Sequence, residues 1–213
     1  MTLTTLLLIR HGETAWNAEH RIQGHLDIPL SAAGIRQAAR LADRLGSEVV
    51  DAVYSSELVR AWLTAEPLAA RFGLEIRAET RLRERSFGLF EGLTLDEIAA
   101  RHPASFRNWR ARDPAWVMDG GESGQQLMDR VLAALQDIVA GHRGETVAIV
   151  THGGVLDVAY RAARGLGWDA PREHQMLNAS INRLAADAPP LELNLLSWGD
   201  VAHLEQARDE SLT

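Results

Sequence analysis

Two short apolar segments, at residues 6–9 and 147–150, each lead into a His-Gly pair, and they constrain the fold more than any other feature of the chain. Runs of four apolar residues bounded by polar ones are typical of strands buried in a sheet. The first run ends at Arg10 and His11, and the second ends just before His152. If both strands belong to one parallel sheet, the two imidazoles leave it at the same edge, where α/β proteins bind ligands.

Apolar runs and amphipathic stretches alternate along most of the chain. Strands are predicted near residues 5–10, 51–54, 75–77, 146–150, 180–186 and 191–198. Helices are predicted near residues 32–46, 57–72, 94–101, 104–112, 123–143 and 154–164. This alternation predicts an α/β fold, a three-layer α/β/α sandwich with a mostly parallel central sheet. The last two strands are close in sequence, so we expect one antiparallel edge strand.

The length and charge of the chain narrow the class of protein. A chain of 213 residues fits a single domain over residues 1–213, with a less regular insert or cap region at about 80–122. The net charge of −7 argues against a nucleic-acid partner, and no apolar run is long enough to cross a membrane. The absence of cysteine excludes thiolate chemistry and fits a cytoplasmic protein. A homodimer through an exposed sheet edge is a further hypothesis.

The cations and imidazoles at the strand ends favour a phosphate site. Arg60 lies one turn into the helix predicted after the second strand, so it is expected to join Arg10 and the two histidines. The planar guanidinium group pairs bidentately with phosphate oxygens. Backbone N–H groups of Gly12 and Gly153 are expected to complete a cage for a dianion.

Each of these residues, taken singly, also has a structural explanation. An arginine after a strand is usually a surface cation, and a single histidine is more often hydrogen-bonded within the fold. Arg60 could extend from its helix towards solvent. A metal site is disfavoured because the chain has neither an HExxH pattern nor clustered Asp and His residues. The phosphate hypothesis therefore depends on whether these residues converge in space.

Several segments in a fixed order carry a resemblance to a known family. They are residues 8–14 with Asn17, residues 27–30, Gly34, residues 37–38, 55–61, 64–65, 82–84, 87–88, 91–92, 120–123 and 150–154. Together they resemble the histidine phosphatase superfamily, which also contains the cofactor-dependent phosphoglycerate mutases. The resemblance extends from about residue 5 to about residue 185, which is most of the chain.

The resemblance implies roles for individual residues. His11 would be the nucleophile that forms a phosphohistidine. Glu84 would donate a proton to the leaving oxygen and later act as base for the attacking water. The implied phosphate ligands are Arg10, Arg60, His152 and Asn17. No metal is required, since the arginines supply the positive charge.

Two of these roles have structural rivals, and three further residues are candidates for substrate contacts. Glu84 stands among several arginines and would pair with one of them if it had no catalytic role. Asn17 would cap a turn instead of donating to phosphate. Gln23 is a candidate at the mouth of the site, and Arg110 and Trp109 are candidates in the insert.

Three functions remain open at this point. The first is a phosphomonoesterase that acts on a small phosphorylated metabolite. The second is phosphoglycerate mutase-type transfer, for which 2,3-bisphosphoglycerate would be the cofactor. The third is a catalytically idle phosphate-binding protein. Family mutases are usually longer, with a basic insert, whereas residues 93–122 of this chain contain no lysine. The shorter chain favours the phosphatase.

Overall fold

The structure is a computed structural model that describes residues 2–204. Six strands form one sheet in the order β3-β2-β4-β1-β5-β6. The strands are β1 (Thr4–Arg10), β2 (Ala52–Ser55), β3 (Ile76–Ala78), β4 (Thr146–Thr151), β5 (Ile181–Asp187) and β6 (Glu192–Asp200). The helices are α1 (Ala15–Ala18), α2 (Ala32–Leu45), α3 (Val59–Phe72), α4 (Leu95–Arg101), α5 (Pro103–Arg110), α6 (Gly124–Gly141) and α7 (Gly153–Arg164).

The two strands that precede the His-Gly pairs are neighbours. β1 and β4 run parallel, with Ile9 opposite Val150 and Arg10 opposite Thr151. The next residue of each strand is a histidine, so the register places the two imidazoles side by side at the carboxyl edge of the sheet. The fold thereby meets the condition on which the phosphate hypothesis depended.

The predicted three-layer α/β fold is confirmed. β1, β2, β3 and β4 are parallel, and β5 runs antiparallel to both of its neighbours, β1 and β6. The antiparallel strand therefore lies one position inside the edge, because the β5–β6 hairpin adds β6 as the outermost strand. Since β6 reverses direction again, it runs the same way as β1.

Alternating side chains of the buried strands supply two cores. Leu6 and Leu8 of β1 point to the face covered by α6 and α7. Leu7 and Ile9 point to the opposite face, where α2 and α3 pack. Both faces of β1 are therefore apolar, which explains why its sequence is a continuous hydrophobic run rather than an alternating one.

Most predicted boundaries lie within two residues of the structure, and one element was missed. The sequence predicts no helix or strand for residues 15–18, which form α1. Thr14 caps this short helix and forms a reciprocal capping box with Asn17. Ser123 and Gln126 form a second capping box at the start of α6.

The predicted insert region contributes no strand to the sheet. Residues 80–122 form two short 3₁₀ turns followed by α4 and α5. Their apolar side chains, including Phe90 and Ile98, make a separate small cluster against which Trp109 and Trp116 pack. The prediction of one domain also includes Met1 and residues 205–213, which lie outside the described residues.

Candidate functional site

His11 is fully buried at the end of β1, with one ring nitrogen fixed. Its Nδ1 lies 2.7 Å from the carbonyl oxygen of Gly12. A carbonyl only accepts, so Nδ1 carries the hydrogen and the lone pair is on Nε2. Burial, and then the charges of Arg60 and Arg10, hold the pKa of His11 well below 6.5. The ring is therefore neutral at physiological pH, which is the state a nucleophile requires.

His152 lies beside His11, with 5.2 Å between the ring centroids. Its Nε2 is 2.9 Å from the hydroxyl of Ser56. Its Nδ1 is buried and has no hydrogen-bond partner within residues 2–204. Burial, followed by the charge of Arg60, lowers the pKa of His152 well below 6.5. If the Ser56 hydroxyl donates to Nε2, the neutral ring presents an N–H at Nδ1 for an anion.

Two buried arginines complete this group, which we call the cage and define as Arg10, His11, Arg60 and His152. Arg10 is 1% exposed and Arg60 is 0% exposed. Arg10 donates to the carbonyl of Met176, and Arg60 donates to the carbonyls of Gly24 and Leu26 at 2.7 and 2.8 Å. These acceptors are neutral, so the bonds fix the guanidinium planes without cancelling their charge.

The backbone after His11 passes unusually close to α2. A Cβ on Gly12 would lie 2.7 Å from the carbonyl oxygen of Gly34. The Gly12 N–H donates to the hydroxyl of Thr64 at 2.9 Å. The expected contribution of this N–H to an anion cage is therefore wrong, because it is used to hold the loop against α3. Glycine is needed here for close packing.

Glu84 is only 6% exposed and is oriented by main-chain groups. Its Oε1 accepts from the N–H of Arg85 at 2.7 Å and from the N–H of Gly154 at 3.0 Å. The bond to Gly154 ties the carboxylate to the start of α7, two residues after His152. The carboxyl group is thus brought to the same sheet edge as the cage.

The arginines that flank Glu84 in sequence have other partners. Arg81 pairs with Glu79 and Asp137, and Arg83 pairs with Glu57. Arg85, the third arginine near Glu84, donates to the carbonyl of Glu122 and also feels the charge of Glu84. The catalytic role of Glu84 therefore stays a prediction.

Arg130 and His25 support the main chain at Glu84, and neither was singled out from the sequence. Arg130 on α6 donates to the carbonyls of Arg81, Arg83 and Glu84 at 2.7–2.9 Å. The Nε2 of His25 donates to the same Glu84 carbonyl at 2.8 Å. Two separate elements thus fix the backbone that carries the carboxyl group.

Asn17 and Gln23 lie close together beside the cage. The Oδ1 of Asn17 accepts from the backbone N–H of Thr14 at 3.0 Å, which is the capping role considered for it. Asn178 also donates to the backbone carbonyl of His11 at 3.0 Å. Gln23 is 4% exposed and accepts from the Thr14 hydroxyl. Donation by Asn17 or Gln23 to a phosphate remains a prediction, as does the role of the Gly153 N–H.

A cavity of ≈ 290 Å³ includes Glu84 in its lining but none of the four cage residues. We call it the arginine cavity. Its lining includes Glu84, Gly154 and Met176, which border the cage, together with four arginines and two tryptophans: Arg85, Arg110, Arg112, Arg172, Trp109 and Trp168. The candidates Arg110 and Trp109 therefore lie at this cavity, whereas Gln23 does not line it.

Trp168, which the sequence analysis did not single out, forms one wall of the cavity. Its ring is flanked by the guanidinium groups of Arg85 and Arg161, at 5.4 and 5.7 Å from the ring centroid. Arg161 is buried and also donates to the carbonyls of Gly167 and Ala170. These contacts hold the loop after α7 against the insert. No local sequence pattern predicts them.

Residues 2–204 contain neither a cluster of metal-binding side chains nor a helix that could cross a membrane. No three His, Cys, Asp or Glu side chains lie close enough together there to hold a metal ion. Among the same residues, none of the helices is both long enough and apolar enough to span a bilayer.

Comparison with known proteins agrees with this geometry. The sequence pattern of the histidine phosphatase superfamily (branch 1) matches residues 6–199. The chain is 42% identical to "Phosphoglycerate mutase-like protein 4" of Arabidopsis thaliana, over 94% of this chain and 87% of that protein. It is 39% identical to the "Metal-independent phosphoserine phosphatase" of the same plant, over 95% and 84%.

A solved structure resembles the fold closely. It is a mycobacterial glucosyl-3-phosphoglycerate phosphatase, in complex with VO3, with a TM-score of 0.81 and 34% sequence identity. The alignment covers 92% of this chain and 98% of that one.

Proposed function

This chain belongs to the histidine phosphatase superfamily, and from that premise we propose that it hydrolyses small phosphomonoesters through a phosphohistidine on His11. The observation that carries the proposal is the state of His11: a buried, neutral imidazole whose Nδ1 is tied to Gly12, beside two buried arginines. That arrangement leaves Nε2 as the only nucleophilic atom of the ring.

The first step transfers the phosphoryl group from substrate to enzyme. The Nε2 lone pair of His11 attacks phosphorus, and the bond from phosphorus to the ester oxygen breaks. Arg10, Arg60 and the Nδ1 N–H of His152 stabilise the charge on the equatorial oxygens. Because main-chain carbonyls already hold both guanidinium groups in position, little reorganisation accompanies the reaction.

Glu84 supplies the proton that the leaving alkoxide requires. Its carboxyl group is oriented by the N–H of Arg85, which donates to Oε1, and by the N–H of Gly154, which is shared between Oε1 and Oε2. In the second step the Glu84 carboxylate takes a proton from water, whose oxygen attacks the phosphohistidine. The bond between phosphorus and Nε2 then breaks, and the enzyme is regenerated with inorganic phosphate as product. In this proposal the side chains of the protein perform both steps, and neither step uses a metal ion.

The decisive experiment is to trap the intermediate. Purified protein is mixed with 32P-labelled substrate, quenched within one turnover, and tested for a base-stable, acid-labile label. We expect label on wild-type protein and none on His11→Ala, with phosphate release from p-nitrophenyl phosphate reduced by at least about 10⁴-fold in the variant. Turnover without a labelled intermediate, or full activity in the variant, would refute the proposal.

A second assay separates hydrolysis from mutase-type transfer. Transfer is the activity that the name of one relative, "Phosphoglycerate mutase-like protein 4", favours. Isomerisation of 3-phosphoglycerate is followed with and without 2,3-bisphosphoglycerate, beside phosphate release. We expect phosphate release to dominate under both conditions. Rapid isomerisation stimulated by the bisphosphate would instead assign the protein to the mutases. Activity that persists in excess EDTA would support the metal-independent chemistry.

A further inference from the structure

We infer that Arg130, held in place by Glu122, is a positioning residue that directs Glu84 at the leaving oxygen. This inference rests on the proposed role of Glu84 as proton donor and base. Glu122 lies just before α6, and Arg130 lies in the second turn of that helix. Neither residue lines the arginine cavity or belongs to the cage, so neither is placed to touch the substrate.

All five N–H groups of the Arg130 guanidinium have acceptors. Its Nη1 donates to the carbonyls of Arg81 and Arg83, at 2.7 and 2.8 Å. Its Nη2 donates to the carbonyl of Glu84 at 2.9 Å and to the carboxylate of Glu122 at 2.5 Å. The same carboxylate accepts from Nε at 3.0 Å. Because the guanidinium is planar and rigid, it fixes the three carbonyls relative to one another.

Glu122 binds the same turn at its other end. Its carboxylate accepts from the N–H of Ser86 at 2.9 Å, and its own N–H donates to the Ser86 carbonyl at 3.0 Å. Its carbonyl accepts from the side chain of Arg85. The side chains of Arg130 and Glu122 are only 21% and 16% exposed, so water competes little for these bonds. The main chain on both sides of Glu84 is therefore fixed by one ion pair.

The turn has a separate attachment to the core. Leu82 is 0% exposed, and its carbonyl accepts from the hydroxyl of Thr151 at 2.8 Å. Loss of Arg130 should therefore leave the turn attached but free the peptide that carries Glu84. A proton donor must lie within hydrogen-bond distance of the oxygen it protonates, and a displacement of about 1 Å can reduce the rate by about 10²-fold. The expected defect is thus in proton transfer.

The charge of Arg130 has to be separated from its geometry. Burial is the largest cause of the lowered pKa of His152, to which the charge of Arg130 also contributes. Arg130→Lys retains the charge but lacks the planar fork, whereas Arg130→Gln loses both. Both variants are expected to misplace Glu84, so the geometry is tested even if Arg130→Gln fails to fold.

The test exploits the leaving group, since only a poor leaving group needs the proton from Glu84. Values of kcat/KM are measured for glycerol 3-phosphate and for p-nitrophenyl phosphate. We expect each Arg130 variant to lose about ten- to a hundredfold with glycerol 3-phosphate and much less with p-nitrophenyl phosphate. A loss of folded protein alone would lower both values by the same factor.

A double variant tests whether Arg130 acts through Glu84. With glycerol 3-phosphate, Glu84→Gln/Arg130→Lys should lose no more than Glu84→Gln alone, because no proton donor is left to position. Arg143→Gln is the matched control. Arg143 also donates to a main-chain carbonyl, that of Ala188 at 2.7 Å, but at the opposite edge of the sheet. The control should leave both kcat/KM values unchanged.

Equal losses for the two substrates, full activity in Arg130→Lys, or losses that multiply in the double variant would overturn the inference. Labelling of His11 by p-nitrophenyl phosphate reports separately on the proposed function. Label that persists in the Arg130 variants is expected, because the cage does not depend on Arg130. Absence of label from the wild-type protein would instead refute the proposed hydrolysis itself.

Discussion

The cage and the arginine cavity meet at Glu84, yet they hold their arginines in different ways. In the cage, Arg10 and Arg60 are almost fully buried, and main-chain carbonyls fix them. In the cavity, Arg110 is exposed and Arg112 is half-buried, and both retain unused donors. We therefore expect a division of labour: the rigid cage would bind the phosphate group common to all substrates, and the more open cavity would distinguish the groups attached to it.

The largest expected effect concerns Glu84, where the two regions meet. Glu84→Gln keeps the shape of the side chain but cannot donate the proton. We expect kcat for glycerol 3-phosphate to fall by about 10²–10⁴-fold. We expect a much smaller loss for p-nitrophenyl phosphate, because its leaving group departs as a stabilised anion. Equal losses for both substrates, measured by phosphate release and by absorbance, would show that Glu84 does not protonate the leaving oxygen.

The second prediction tests whether the cage acts on all substrates alike. Arg60→Lys keeps the charge but removes the planar fork that donates to Gly24 and Leu26. We expect kcat/KM to fall by about 10²–10³-fold. The factor should be the same for 3-phosphoglycerate and glycerol 3-phosphate. A loss confined to one of them would contradict the proposed division between cage and cavity.

The third prediction disturbs the cavity and leaves the cage intact. A Cβ on Gly124 would lie 2.3 Å from Cε2 of Trp168, so Gly124→Ala must displace that ring. We expect the ratio of the kcat/KM values for 3-phosphoglycerate and glycerol 3-phosphate to change several-fold, while His11 is still phosphorylated by p-nitrophenyl phosphate. Gly141→Ala in the same helix is the control, because its Cβ meets nothing within 4 Å. An unchanged ratio in Gly124→Ala would show that Trp168 does not affect the choice of substrate.

The smallest expected effect concerns the stability of the cage. His152 has a pKa well below 6.5 in the folded protein because of burial and neighbouring arginines. Below pH 6.5 the unfolded chain binds a proton there that the folded chain does not, so stability falls as pH falls. We expect the stability difference between wild type and His152→Asn to decrease by about 1.4 kcal/mol per pH unit below 6.5. Urea unfolding in phosphate-free buffer measures it, and a constant difference would contradict the expected neutral state.

The cage is the part of the site that the sequence predicts best. Three of the four cage residues lie at or directly after a strand end, and Arg60 lies in the first turn of α3. The β1–β4 register therefore brings His11 and His152 together. The second core and the helices follow from hydrophobic periodicity in the same way. Short-range signals were sufficient wherever the functional residue lies within a residue or two of a buried strand.

The remaining contacts depend on tertiary packing. Arg130 reaches the carbonyl of Glu84 across 46 residues of chain, and Gly154 reaches its carboxylate across 70. Trp168 lies in a loop whose position depends on Arg161 and Arg112, and nothing in its local sequence marks it as a cavity wall. The short helix α1 was missed because its four residues carry no hydrophobic period.

The burial of Arg10 and Arg60 at the carboxyl edge of the sheet also matters after the reaction is complete. Orthophosphate, the hydrolysis product, has the same tetrahedral oxygens as the transferred group and fits the same donors. We expect it to bind the native chain in preference to the unfolded one, and so to raise the melting temperature as it accumulates. The same arginines that would make the site reactive would then also make the enzyme subject to inhibition by its own product.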